Sequence, residues 1–146
     1  MLLVHDDQRV AEWVRERIPH IRETGFGPCS AFGVLQDGML VGGVVFNNYR
    51  KFDIHMSAAL DAPLTRQSLR TLCEYVFGQL NVRRVTSITG KKNRKARKAL
   101  QVIGFTLEGT ARHALDGVQD ACVYGLIREH CKWINKDGLT LSSPAA

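Results

Sequence analysis

The sequence predicts a mixed, mostly antiparallel α/β sheet of about six or seven strands flanked by helices. Three observations carry that expectation. Apolar, β-branched runs at residues 31–35 and Met39–Asn47 are joined through Gln36-Asp37-Gly38, and Asp-Gly between such runs is a strong hairpin signal. Residues 65–80 carry an uninterrupted helical stripe of Leu69, Leu72, Cys73, Val76, Phe77 and Leu80. Residues 84–109 read as strand, polar turn, helix, glycine stop and strand. That order leaves polar groups at the carboxyl end of a strand, where open α/β sheets bind ligands.

Taken in order, residues 2–5 predict a first strand. Asp6 or Asp7 then caps a helix running to about Ile18 on the stripe Val10, Trp13, Val14 and Ile18, and Pro19 ends it. Residues 20–30, with Gly25, Phe26, Gly27 and Pro28, predict a loop or short irregular helix of the kind that often carries specificity. After the hairpin and the Asn47-Asn48-Tyr49 turn comes a strand over 52–60, so the first half of the sheet is an antiparallel meander, broken at Pro63. Thr65 is the N-cap expected for the helix over 65–80, with Ser68 three residues on. Residues 105–115 and Ala121–Ile127 are β-type runs separated by Asp116-Gly117, a second hairpin signal.

The helix after residue 93 is set by Ala96, Ala99, Leu100 and Ile103, which fall at i, i+3, i+4 and i+7 and form one buried face. Asn93 fits as its N-cap, Gly104 suits a left-handed position just past the end, and Phe105 opens the next strand. The opposite face is cationic: Lys91, Lys92, Arg94, Lys95, Arg97 and Lys98. It reads either as a solvated face or as an anion-binding one.

Hydrophobic residues make up 45% of the chain and charged residues 23%, which fits one globular domain over 1–137 with a true core, and a frayed tail at 138–146. The net charge of +6 favours polyanionic partners: phosphates, a nucleotide cofactor or nucleic acid. Cys29, Cys73, Cys122 and Cys131 are scattered without paired spacing, and no histidine completes a ligand set with two of them, so no metal site is expected. Cys29 and Cys122 read as core residues rather than nucleophiles. The opening MLLVHDDQ is too short an apolar run for a signal peptide, and no segment has the length to cross a bilayer. A cytoplasmic protein with reduced thiols and no membrane partner is the resulting expectation.

Tyr75 and Phe77 near the end of the first long helix, then Asn93, Gly104-Phe105, Glu108-Gly109 and Arg112, stand in a telling order and spacing. Asp116-Gly117, Asp120, Tyr124, Leu126 and Trp133 complete it. Together they resemble the GNAT family of N-acetyltransferases, in particular its RimJ/RimL-like branch and similar small phage-encoded proteins. The likeness covers most of the chain and is strongest from about Ala31 to Trp133.

The resemblance implies direct transfer of an acetyl group from acetyl-CoA to a primary amine, which is a protein N-terminus, a lysine or a small amine, without metal or covalent intermediate. It also implies a sheet splayed between its fourth and fifth strands. The pantetheine arm would pair like an extra strand with Met56, Ser57, Ala58, Ala59 and Leu60, and the Ala59 or Leu60 backbone N–H would polarise the thioester carbonyl. The pyrophosphate would sit on the following helix N-terminus, over Thr65, Arg66, Gln67, Ser68, Leu69 and Arg70, where unpaired N–H groups and the helix dipole favour an anion. The family signature Q/R-x-x-G-x-G/A falls here on Leu60, Pro63 and Thr65, so neither glycine is present. Arg66, Gln67, Ser68 and Arg70 are the donors on hand. Asn93 matches the family asparagine that reaches the pantetheine, and a plain N-cap explains it equally. Lys95 and Arg97 would hold cofactor phosphates or, with Arg94, ease the charge of the departing thiolate.

The family's proton-donating tyrosine and serine fall on Leu100 and Ala96, neither of which can donate. For the general base the candidates are His55 and Asp53, two residues apart on one face of the fourth strand. Histidine titrates in the useful range, and a half-buried strand histidine is the plainer reading. Glu108 is a further candidate that a salt bridge explains as well. The acceptor would lie over the 20–30 loop and the Asp116 hairpin. A different class also stays open: a noncatalytic GNAT-like module that binds CoA or nucleic acid through KKNRKARK. The expected assembly is a monomer or homodimer.

Overall fold

The computed structural model describes residues 1–134, so the tail expected at 138–146 lies outside the described residues. Seven strands, β1 (Leu2–His5), β2 (Cys29–Gln36), β3 (Met39–Asn47), β4 (Asp53–Leu60), β5 (Arg84–Gly90), β6 (Thr106–Ala111) and β7 (Ala121–Ile127), form a sheet in the order β1-β2-β3-β4-β5-β7-β6. Neighbours are antiparallel except β4 and β5, which run parallel. Helices α1 (Asp7–Arg17), α2 (Arg66–Cys73) and α3 (Arg94–Ile103) accompany it. The mixed, mostly antiparallel α/β architecture read from the sequence is the one the chain adopts.

Among the described residues two compact units can be distinguished: Met1–Tyr49 with His55–Leu64, and Arg50–Ile54 with residues 65–134. In the first, the Asp6 carboxylate accepts the Arg9 N–H at 3.3 Å and starts α1, while the neighbouring Asp7 carboxylate accepts the Ala31 N–H at 2.8 Å and fastens the helix to β2. Val10 and Val14 are buried with Phe26, Ala31 and Val45. Their close seat depends on Gly33 and Gly43, which face each other across β2 and β3. A Cβ on Gly43 would come within 2.5 Å of Val14, and one on Gly33 within 2.7 Å of Val10. Asp37 at φ 54° and Gly38 at φ 79° turn the β2–β3 hairpin in left-handed backbone, as Asp-Gly predicts.

In the second unit, α2 starts after Thr65 as expected but ends at Cys73. Glu74–Gln79 continue as a π-helix, in which the Leu80 N–H bonds the Tyr75 carbonyl five residues back at 2.8 Å. The single helix expected over 65–80 is therefore two helical segments. The wider turn contains Gly78, a weak helix former whose backbone yields readily. Five of the six stripe residues are buried, and Leu80 is half-buried.

The α3 helix begins at Asn93 and stops at Gly104, whose φ of 121° suits only glycine; the Phe105 N–H reaches back to the Leu100 carbonyl at 2.9 Å. Leu100 is buried and Ala96 and Ile103 are half-buried, but Ala99 is exposed, which corrects the expected four-residue face. The helix is turned so that Arg97, not Ala99, flanks Leu100. β6 and β7 form the expected hairpin, but β6 stops at Ala111 instead of reaching Leu115, and the connection turns over a longer stretch, with Gly117 at φ 88° and the Leu115 N–H on the Gln119 carbonyl at 3.2 Å. Side chains add to the backbone bonds of this connection. Asp116 accepts N–H bonds from Val118 at 2.9 Å and Gln119 at 2.7 Å, and Asp120 accepts the His113 N–H at 3.1 Å.

Among the described residues no helix is long and apolar enough to cross a membrane, and no group of three or more His, Cys, Asp or Glu is arranged to hold a metal ion.

Candidate functional site

The polar turn ahead of α2 is the first candidate element. Thr65 is extended at φ −73° and ψ 162°, and its hydroxyl oxygen accepts the Ser68 N–H at 3.1 Å. That leaves the N–H groups of Arg66 and Gln67, both exposed residues, with no partner among the described residues. Leu69 turns into the core, so only its backbone faces this end. One turn on, half-buried Arg70 carries an Nε that is shielded from water and makes no hydrogen bond. An orphaned N–H on a cation is costly, and an anionic oxygen is the partner that relieves it.

The turn ahead of α3 divides its work between the two ends of one amide. Asn93 Oδ1 accepts the Ala96 N–H at 3.1 Å, so the N-cap is formed. The Nδ2 group has no partner among the described residues and remains a donor. Lys95 is exposed and has no ion pair among the described residues. Arg97 is different: its Nε donates to Tyr124 Oη at 2.8 Å and its Nη1 to the Lys91 carbonyl at 3.1 Å. The bond Arg97 donates to the Tyr124 hydroxyl oxygen is the main reason the Arg97 pKa is raised. Tyr124 is fully buried in β7, and sequence reasoning did not pair it with Arg97. A signal existed: three residues before Leu100, Arg97 lies about 60° from it around the helix, so one cation of the run had to face inward.

Strand β4 carries the remaining candidates. Met56, Ser57, Ala58, Ala59 and Leu60 lie opposite Phe46, Val45, Val44, Gly43 and Gly42 of β3, and in such a ladder alternate backbone groups point away from the partner strand. His55 is half-buried opposite Asn47, with its Nδ1 3.4 Å from the Asn48 amide nitrogen. Asp53 has firmer ties: its Oδ1 accepts from the Thr86 hydroxyl at 2.8 Å and lies 3.5 Å from Arg84 Nε. Arg84 also holds Glu108 through two bonds of 3.1 and 2.9 Å, and this Glu108 pairing raises the Arg84 pKa against the opposing effect of burial. Glu108 is thus a salt-bridge residue. No sequence signal links positions 53, 84 and 108, because strand pairing alone brings them together. Leu100 is buried and Ala96 half-buried, and neither offers a proton. Burial, and secondarily Asp7, push the Cys29 thiol pKa up, while Cys122 is only 1% exposed, which leaves neither suited to nucleophilic work.

No protein-family model matches this sequence, and no curated protein matches it. Solved structures do. One of a probable acetyltransferase is 22% identical, with 86% of this chain and 91% of that chain covered at a TM-score of 0.64. One of a spermidine N-acetyltransferase from Vibrio cholerae is 15% identical, with 94% and 99% covered at 0.68. The N-acetyltransferase PseH of Campylobacter jejuni, solved in complex with acetyl coenzyme A, is 18% identical, with 86% and 99% covered at 0.58. The chain has a GNAT-like fold. At these identities the fold is what is shared.

Proposed function

We propose that residues 1–137 act as one acetyl-CoA-dependent N-acetyltransferase that transfers the acetyl group directly to a primary amine, whether a protein N-terminus, a lysine or a small amine. The observation that carries this reading is the start of α2, where the free N–H groups of Arg66 and Gln67 and the orphaned Arg70 Nε present donors suited to a pyrophosphate. The GNAT-like fold supports it, as does the PseH structure, which is a complex with acetyl coenzyme A. The family-like residues from Tyr75 to Trp133 favour the RimJ/RimL-like branch, and a cytoplasmic monomer or homodimer completes the reading.

In this reading the backbone of Met56, Ser57, Ala58, Ala59 and Leu60 pairs with the pantetheine arm. Thr65, Arg66, Gln67, Ser68, Leu69 and Arg70 take the pyrophosphate, Asn93 donates through Nδ2, and Lys95 with the free end of Arg97 faces the adenosine phosphates. The thioester supplies the activated acetyl group. The amine must lose a proton, and His55 is the acceptor this reading assigns, with Asp53 beside it held by Thr86 and Arg84. The N–H of Ala59 or Leu60 stabilises the oxyanion, and solvent protonates the departing thiolate, because Ala96 and Leu100 cannot.

The test is ligand linkage followed by turnover. Acetyl-CoA at roughly a hundred times its Kd stabilises a folded protein by about 2.7 kcal/mol, or roughly 5–10 °C in melting temperature for a chain of this size. An unchanged melting temperature at about millimolar acetyl-CoA overturns the reading. Binding without release of CoA thiol across a panel of peptide N-termini, lysine peptides and polyamines leaves a CoA-binding module in its place.

A further inference from the structure

Between Glu74 and Glu108 the sequence contains no acidic residue and eight lysines and arginines. Arg84 and Arg97 are engaged within the fold, but Lys91, Lys92, Arg94, Lys95 and Lys98 are all exposed and have no ion pair among the described residues. Within α3, Arg94, Lys95 and Lys98 fall inside an arc of about 100°, centred opposite buried Leu100.

The arrangement runs against the electrostatics of the helix itself. The N-terminal end of a helix dipole is positive, and Arg94 and Lys95 occupy the first two positions of α3 with no acidic residue in that turn. The α1 helix of the same chain follows the opposite rule: Asp7 stands in its first turn and Arg15 and Arg17 in its last, and each arginine has a glutamate partner, at 3.7 and 3.9 Å. The α3 face therefore concentrates like charge where it costs stability, and a bound polyanion removes that cost.

The kind of polyanion follows from what surrounds the charges. A membrane-bound helix needs a broad outward apolar face, and α3 turns Leu100 inward and exposes Val102 alone among its large apolar side chains. A protein partner is held chiefly by aromatic or arginine anchors seated in pockets, and beside the cationic run the one large apolar side chain that α3 exposes is Val102, a residue type under-represented among such anchors. A phosphodiester backbone is a continuous line of charge that requires neither. We propose that Lys91, Lys92, Arg94 and Lys98 form a docking face for the nucleic-acid phosphate backbone, one that grips strands without regard to base sequence. The proposal stands on the exposure and charge of this face and does not depend on acetyl transfer; Lys95 is set aside because it is assigned to the cofactor.

The experiment is fluorescence anisotropy of a short labelled single-stranded RNA, and of a DNA duplex, titrated with the full chain at several salt concentrations. With four phosphate contacts, affinity for the single strand falls by roughly fiftyfold between about 50 and 200 mM salt, and log affinity against log salt has a slope near −3. The variant Lys91→Gln/Lys92→Gln/Arg94→Gln/Lys98→Gln loses about 2–3 units of that slope, whereas Lys91→Arg/Lys92→Arg/Lys98→Arg keeps it. The glutamine variant also melts no lower than the native chain, since it relieves repulsion at the helix start. No binding by the native chain at low salt, equal binding by the glutamine variant, or binding to phosphatidylserine vesicles in place of either nucleic acid overturns the proposal. A melting shift with acetyl-CoA alongside absent RNA and DNA binding overturns this inference alone.

Discussion

Arg97 on α3 donates from Nε to the buried hydroxyl of Tyr124 on β7 at 2.8 Å, and its Nη1 closes on the Lys91 carbonyl. A buried tyrosine hydroxyl needs a partner, and here the partner is the one cation of a basic run that turns inward. Because Arg97 also binds the Lys91 carbonyl, the bond reaches the turn in which Asn93 sits. Tyr124→Phe is expected to lower the melting temperature by a few degrees and to weaken acetyl-CoA binding, although the residue carries no ligand contact of its own. Calorimetry on both proteins checks it; an unchanged affinity with a lowered melting temperature confines Tyr124 to stability.

Asn93 presents its oxygen to the helix and keeps its amide nitrogen free, so two substitutions separate the roles. Asn93→Ala loses both and costs about 1 kcal/mol of stability. Asn93→Ser keeps a competent cap but has no amide donor, so it should melt like the native chain while binding acetyl-CoA several-fold more weakly. Equal acetyl-CoA affinity for the serine and native proteins reduces Asn93 to a cap.

His55 and Asp53 are distinguished by their partners. Loss of a general base lowers turnover by about a hundredfold or more, which is the expectation for His55→Gln with the acetyl-CoA melting shift retained. Asp53→Asn removes the carboxylate charge facing Arg84 and is expected to act on stability first. Denaturation and steady-state kinetics on the pair decide it. Full activity in His55→Gln, with a hundredfold loss and native stability in Asp53→Asn, would move the base to Asp53.

Gly43 leaves the space that Val14 occupies, so Gly43→Ala overpacks the seat of α1 and is expected to cost about 1–3 kcal/mol in urea denaturation. In the double substitution Gly43→Ala/Val14→Ala the added methyl enters the room the valine vacates, and the two losses should sum to less than their separate values. Strict additivity would show that the two side chains do not share that space.

Local chemistry was legible wherever a single residue decides the backbone. Asp37-Gly38 turned the first hairpin, Asp6, Thr65 and Asn93 capped the three helices, and Gly104 ended α3, because each supplies a backbone angle or a hydrogen bond that its neighbours cannot. At Asp116-Gly117 the hairpin also formed, since β6 and β7 pair antiparallel, but its connection is wider than two residues because two aspartates are taken up in side-chain bonds to nearby N–H groups. The same logic misled along 65–80, where helical periodicity does not tell an α turn from the wider π turn at Glu74–Gln79.

The sequence by itself determined the order of strands and helices, the caps, and the concentration of positive charge ahead of and along α3. Only the tertiary structure decided that Arg97 faces Tyr124, that Asp53 and Glu108 share Arg84, that Arg70 keeps an orphaned Nε, and that Ala99 stays outside. The physical reason is range: caps and turns depend on residues within about four positions, whereas the pairing of polar groups depends on strand register and helix rotation, which the packing of the whole core sets.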